Sequence, residues 1–230
     1  MSNEYTKVAD LGTPPWDSIA KVYMKKWGSS YGSGALVSNR HVLTAAHNVY
    51  HTRWAKRFRY GSVTLNLGHQ ELEWRSTRFR KNSVRWLRGY SPNNFSRDLA
   101  LITLPKQASS PKYSFRMPLA GEVSRLFKQN LPLHVGGYPG MDDDLNIHHG
   151  GNTLKTSSTT DYHLDGSLIR YDVNTARGNS GGPVWFTKEG EYILAGIHVA
   201  EESQGLDNNP LDAKAVLLDS ETLIEVQSWF

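Results

Sequence analysis

Three short segments carry residue types that can do chemistry together, and they occur in one order along the chain: Thr44-Ala45-Ala46-His47, Asp98-Leu99-Ala100-Leu101 and Gly178-Asn179-Ser180-Gly181-Gly182-Pro183. They offer an imidazole, a carboxylate and a hydroxyl. A serine hydroxyl is a weak nucleophile until a neighbouring imidazole takes its proton, and a carboxylate can hold that imidazole in the useful tautomer. The small residues around Ser180 allow a tight turn to present its side chain. Gly178 meets a second need. The N–H groups of Gly178 and Ser180 can converge on the oxygen that turns negative in a tetrahedral intermediate, and glycine tolerates the backbone angles required. Taken singly, each segment also reads as plain structure: a Gly-rich hairpin, a packed histidine, a strand-edge aspartate. Taken together they predict catalysis by an activated serine.

Strands must position these groups. His47 follows the strand-like Val42-Leu43-Thr44 and is expected to project from a strand end into a cleft. Asp98 precedes the apolar run Leu99 to Leu104, where a carboxylate can be buried against an imidazole. Further strands are predicted at Ala35-Leu36-Val37, Ser62 to Leu67, Leu133-His134-Val135, Leu168 to Val173 and Tyr192 to Ile197, most with Gly, Pro or Asn near their ends. The one helix expected is the tail from about Ser220 to Trp229, with Leu223, Ile224 and Val226 on its apolar side. Many short strands with punctuated turns argue an all-β sandwich or barrel. The 230 residues suit one large β domain or two small lobes, and no linker, internal repeat or low-complexity tract divides them.

Composition narrows the function classes. With no cysteine, disulfides, thiolate catalysis and Cys-based zinc sites are excluded, and stability must come from packing. Net charge is +4 but uneven: residues 53–88 hold ten Lys/Arg against Glu71 and Glu73, which leaves the rest of the chain at −4. Trp54, Trp74 and Trp86 are interleaved there, a pattern open to a nucleic-acid or acidic-partner face but better read as a solvated surface over buried tryptophans. Asp142-Asp143-Asp144 with His148-His149 lacks the ordered spacing of a calcium loop, so no metal is expected. Gly136-Gly137-Tyr138-Pro139-Gly140 lacks the lysine and helix of a phosphate-binding loop, so no cofactor is expected either. The start Met1-Ser2-Asn3-Glu4-Tyr5 has no export signature and no stretch is long enough to span a bilayer. That favours the cytoplasm, with secretion the alternative if a leader has been removed.

Gly32-Ser33-Gly34-Ala35-Leu36-Val37, together with the three segments above, resembles the chymotrypsin-fold, trypsin-like serine proteases. The likeness runs over most of the chain. Val135 to Gly140, Tyr171-Asp172-Val173 and Gly196-Ile197-His198 are similar to the bacterial glutamyl endopeptidase branch. The resemblance implies one protease domain over residues 1–230, built as two six-stranded antiparallel β-barrels that divide near residues 110–125, with the cleft between them. It implies His47 as general base, Asp98 as its orienting acid, Ser180 as nucleophile, and Gly178 with Ser180 as oxyanion donors. Peptide bonds would be hydrolysed through an acyl-enzyme.

Specificity follows from three further positions. Tryptic enzymes carry an aspartate six residues before the nucleophile, where this chain has Asn174, so cleavage after Lys or Arg is disfavoured. In glutamyl endopeptidases a threonine and a histidine hold the substrate carboxylate, and Thr175 and His198 match them. A preference for Glu, or Asp, is the expectation. The chain departs from that branch after His198, reading Val199-Ala200-Glu201 in place of Trp-Gly-Gly, which sets a negative charge near the pocket. Asn179 rules out the activation ion pair of the animal digestive enzymes. Expected partners are a protein or peptide substrate, with an activating partner as an option; nucleic acid and membrane are not expected. The alternative is a silent or partner-activated module that binds protein or nucleic acid through residues 53–88.

Overall fold

The run Leu99 to Leu104 is apolar at every position but one because both of its faces are buried. Ala100, Ile102 and Leu104 enter one core, while Leu99 and Leu101 enter another. The same period-two split recurs at Ala20 against Ile19, Leu36 against Ala35, and Val42 against Leu43. A strand that alternated apolar with polar would leave one of these cores half filled.

The computed structural model describes residues 6–26, 28–50, 61–66, 74–105, 115–140, 153–201 and 212–230. Two sheets are formed. The first has seven strands, ordered Trp74–Phe79, Gly61–Asn66, Ile19–Lys26, Gly28–Leu36, His41–Thr44, Ala100–Thr103 and Val84–Trp86. The second runs from Thr6–Lys7 through Lys155–Thr159, Leu133–Gly137, Pro183–Lys188, Glu191–Glu201, Asp212–Leu217 and Leu168–Asp172 to Tyr162–Asp165. Phe115–Arg116 adds a short parallel pairing to Tyr192 and Ile193. These are the expected all-β half-barrels of the chymotrypsin type. Short strands added to the sheets carry them beyond six strands each.

Each sheet encloses its own core, the second around Val135, Ile169, Tyr171, Val184, Phe186 and Ala215. A third core lies between the sheets and takes Ile19, Leu43 and Leu101 from one, Trp185, Ile197 and Val216 from the other. The C-terminal helix Ser220–Gln227 closes it with Leu223 and Val226. Asp219 caps that helix, its carboxylate accepting the Thr222 N–H at 2.7 Å, a contact worth about 1 kcal/mol. Ile224, expected on the apolar side, is 72% exposed, because residues 223 and 226 share a helical face and 224 lies a hundred degrees from the first. Two short helices, Ala46–Val49 and Glu122–Phe127, were not anticipated, being too brief to show a helical period. Among the described residues no helix is long and apolar enough to cross a membrane.

Of the basic segment, residues 53–60 and 67–73 lie outside the described residues, as do Asp142 to Asp144 and His148-His149. In the described part Arg78, Arg80, Arg85 and Arg88 are exposed and Trp86 is half-buried against Tyr50.

Candidate active site

His41–Thr44 ends where Ala45 and Ala46, both fully buried, let the chain fold into the short helix Ala46–Val49. His47 therefore sits on a helical turn rather than on a strand end. Its own N–H donates to one Asp98 oxygen at 2.8 Å, and its Nδ1 lies 2.7 Å from the other. A carboxylate can only accept, so Nδ1 is the donor in this contact, and the tautomer that suits it carries its lone pair on Nε2. The Asp98 side chain is 4% exposed and that of His47 39%, so the carboxylate is sealed while the imidazole stays open to solvent. Asp98 stands between the turn Phe95–Arg97 and the strand Ala100–Thr103, as expected. Arg97 on that turn pairs with Glu221 at 2.6 Å, and the Arg88 N–H donates to Glu225 at 2.8 Å, so the C-terminal helix braces the acid's setting.

Ser180 comes from the other sheet, on the turn before Pro183–Lys188. Its carbonyl accepts from the Ser33 N–H and from Asn48 Nδ2, each at 2.8 Å. Asn48 is the residue after His47, so the serine's backbone is tied directly to the helix that holds this histidine. Thr44 Oγ1 completes the tie by donating to the Ser33 carbonyl at 2.7 Å. Gly181 has φ 91°, and a Cβ there would run into the Ser33 carbonyl, Thr44 Oγ1 and Asn48, so this crossing of backbones requires glycine. Gly178 has φ 104°, a conformation that side chains resist. Among the described residues neither its N–H nor that of Ser180 donates to a backbone acceptor.

The predicted specificity residues divide. His198 is brought beside the Ser180 turn: its N–H donates to the Gly182 carbonyl at 2.9 Å and its carbonyl accepts from Gly181 at 2.7 Å. Its ring is 1% exposed, with Nδ1 2.7 Å from the Tyr171 hydroxyl. Burial, with a smaller contribution from nearby His47, pushes its pKa down to about 3, so the ring is neutral. Asn174 is exposed and Thr175 half-buried, both in the segment joining Leu168–Asp172 to Ser180. Tyr171, Ser33 and Asn48 had no assigned role in the sequence reading. The Gly-Ser-Gly run at 32–34 was the one local sign of a close approach.

The family model described as Trypsin matches residues 10–216. A complement C1r subcomponent-like protein of Mus musculus is 30% identical over 154 residues, covering 64% of this chain and 29% of that protein. Its namesake from Homo sapiens is 28% identical over 141 residues, covering 58% and 27%. The chain thus spans less than a third of the length of these relatives. Among solved structures, a Glu endopeptidase in complex with MPD superposes with a TM-score of 0.73 at 22% identity, over 99% of this chain and 96% of its own. An HL collagenase gives 0.70 at 18%, over 100% and 99%. At such identities these two speak for the fold alone. With the family model spanning most of its length, the chain belongs to the trypsin family, whose enzyme class is that of the serine endopeptidases.

Proposed function

We propose that this protein hydrolyses peptide bonds with His47 as general base, Asp98 as its orienting acid and Ser180 as nucleophile. The observation that carries the reading is the His47 Nδ1–Asp98 contact of 2.7 Å on a helix whose next residue, Asn48, holds the Ser180 backbone. His47 Nε2 takes the Ser180 proton as Oγ attacks the scissile carbonyl. The oxygen that gains charge is received by the Gly178 and Ser180 N–H groups, and His47 returns the proton to the leaving amine. Water then repeats the sequence on the acyl-enzyme, releasing the acid and restoring Ser180.

The residue before the cut is proposed to be Glu or Asp, held by Thr175 and His198, with Asn174 at the pocket's edge. A neutral His198 recognises a carboxylate as a donor: if the Tyr171 hydroxyl donates to Nδ1, the ring proton resides on Nε2. A hydrogen bond to a charged acceptor is worth about 1.5–3 kcal/mol, enough for marked selectivity over an uncharged isostere.

The test is incubation of the protein and its Ser180→Ala variant with a denatured proteome, with every new terminus mapped by mass spectrometry. Ser180-dependent cuts clustered after Glu or Asp are expected. Ser180-dependent cuts after other residues would keep the mechanism and remove the pocket assignment, and an absence of cuts would turn the reading towards a silent binding module.

A further inference from the structure

Gly178 poses a mechanical problem for the oxyanion role given to it above, a reading on which this inference rests. A glycine leaves the peptides on either side free to rotate, so its N–H has no preferred aim unless something outside the loop holds it. The preceding peptide is held through the Arg177 carbonyl, which accepts the Gly140 N–H at 2.6 Å. The following peptide is held on both edges. Its N–H, that of Asn179, donates to the Ala176 carbonyl at 3.0 Å, and its carbonyl, that of Gly178, accepts from Ser33 Oγ at 2.7 Å.

Ser33 is fully buried, and its single hydroxyl proton has an unambiguous destination. The Tyr138 N–H donates to Ser33 Oγ at 2.8 Å, which fixes that oxygen as an acceptor on one side and leaves its proton for the Gly178 carbonyl on the other. The Ser33 backbone N–H holds the Ser180 carbonyl at 2.8 Å. One residue of the first sheet therefore touches the carbonyl side of both residues whose N–H groups are the oxyanion donors, which belong to the second. We propose that Ser33 is a positioning residue for catalysis: its hydroxyl clamps the peptide after Gly178 across the two sheets and, with the Gly140 bond to the peptide before it, fixes both flanks of Gly178 and so holds its N–H toward the developing oxyanion. An alanine would keep the strand and its backbone bonds but free the Gly178 carbonyl to turn, leaving the Gly178 N–H held from the Arg177 side alone.

The experiment compares the parent with Ser33→Ala and Ser33→Cys. It measures kcat, KM and the inhibition constant of a peptidyl boronic acid bearing the residue preferred before the cut. The boronate forms a tetrahedral adduct on Ser180 and sets a negative oxygen where the oxyanion develops. In Ser33→Ala, kcat is expected to fall about ten- to a hundredfold with KM within about threefold, since loss of a whole oxyanion donor costs about a hundred- to a thousandfold. Boronate affinity should weaken in step with kcat rather than with KM. Ser33→Cys, whose thiol is a poorer donor, should fall between, and it decides the matter alone if the alanine variant does not fold. A lower melting temperature with kcat per folded molecule and boronate affinity unchanged would reduce Ser33 to a packing role and overturn the proposal. Hydrolysis that survives Ser180→Ala would instead overturn the oxyanion assignment beneath it.

Discussion

His47 and His198 each place Nδ1 2.7 Å from an oxygen. The oxygens differ. One belongs to the sealed Asp98 carboxylate, the other to the Tyr171 phenol. A carboxylate offers negative charge to the imidazolium that forms when a base takes a proton, whereas a phenol offers only a hydrogen bond. Exposure differs in the same sense, with the His47 side chain 39% accessible and His198 closed off. The fold thus gives one imidazole the means to carry a proton and holds the other neutral. Residue type says little about a histidine's job; partner charge and access to water say most of it.

The hardest blow to this contrast is Asp98→Asn, which keeps the shape but permits the wrong tautomer. It should lower kcat about ten-thousandfold in a peptide hydrolysis assay, and a loss below tenfold would place His47 in the same class as His198. Tyr171→Phe probes the other side. It leaves a buried ring nitrogen without its partner, at a cost of about 1–3 kcal/mol in a denaturation experiment. Turnover of substrates lacking an acidic residue should stay within about threefold, while discrimination of Glu from Gln shrinks. Titration sharpens the comparison further. The unfolded chain protonates His198 near pH 6.5 and the folded chain only near 3, so the unfolded state binds the extra proton between those values. This histidine is then expected to withdraw up to about 1.4 kcal/mol of stability for each pH unit lost below 6.5. Denaturation midpoints at pH 7 and 5 should differ less in His198→Gln; an unchanged difference would mean the ring is not held neutral. Smallest of all, Glu221→Gln removes an exposed partner of Arg97 and should cost under about 1 kcal/mol, with kcat unchanged within twofold.

The pairing of His47 with Asp98 was legible because one follows a strand and two small residues and the other heads an apolar run. The strands were legible for a related reason, since burial on two faces writes an unbroken apolar stretch. Ser33, Asn48 and Tyr171 were not. The first two act on residues 145 and 132 positions away, and Tyr171 acts across a sheet on His198, 27 positions on. No nearby pattern announces such a contact. The helical turn under His47 escaped because four residues cannot display a period, and Ile224 was misplaced because the buried face is made by Thr222, Leu223 and Val226, which puts Ile224 outside it.

The brace that Glu221 and Glu225 give to Arg97 and Arg88 spans 124 and 137 residues of sequence. On a ribosome, which releases the chain from its N-terminal side, the first of these contacts waits for residue 221 and the second for residue 225 to emerge. By then Ser180 has long been synthesised, yet the turn that carries Asp98 still lacks its outer support. A nascent chain therefore holds every chemical group of the candidate site before it holds their finished frame, and the frame closes only when nearly all of the described protein is outside the tunnel.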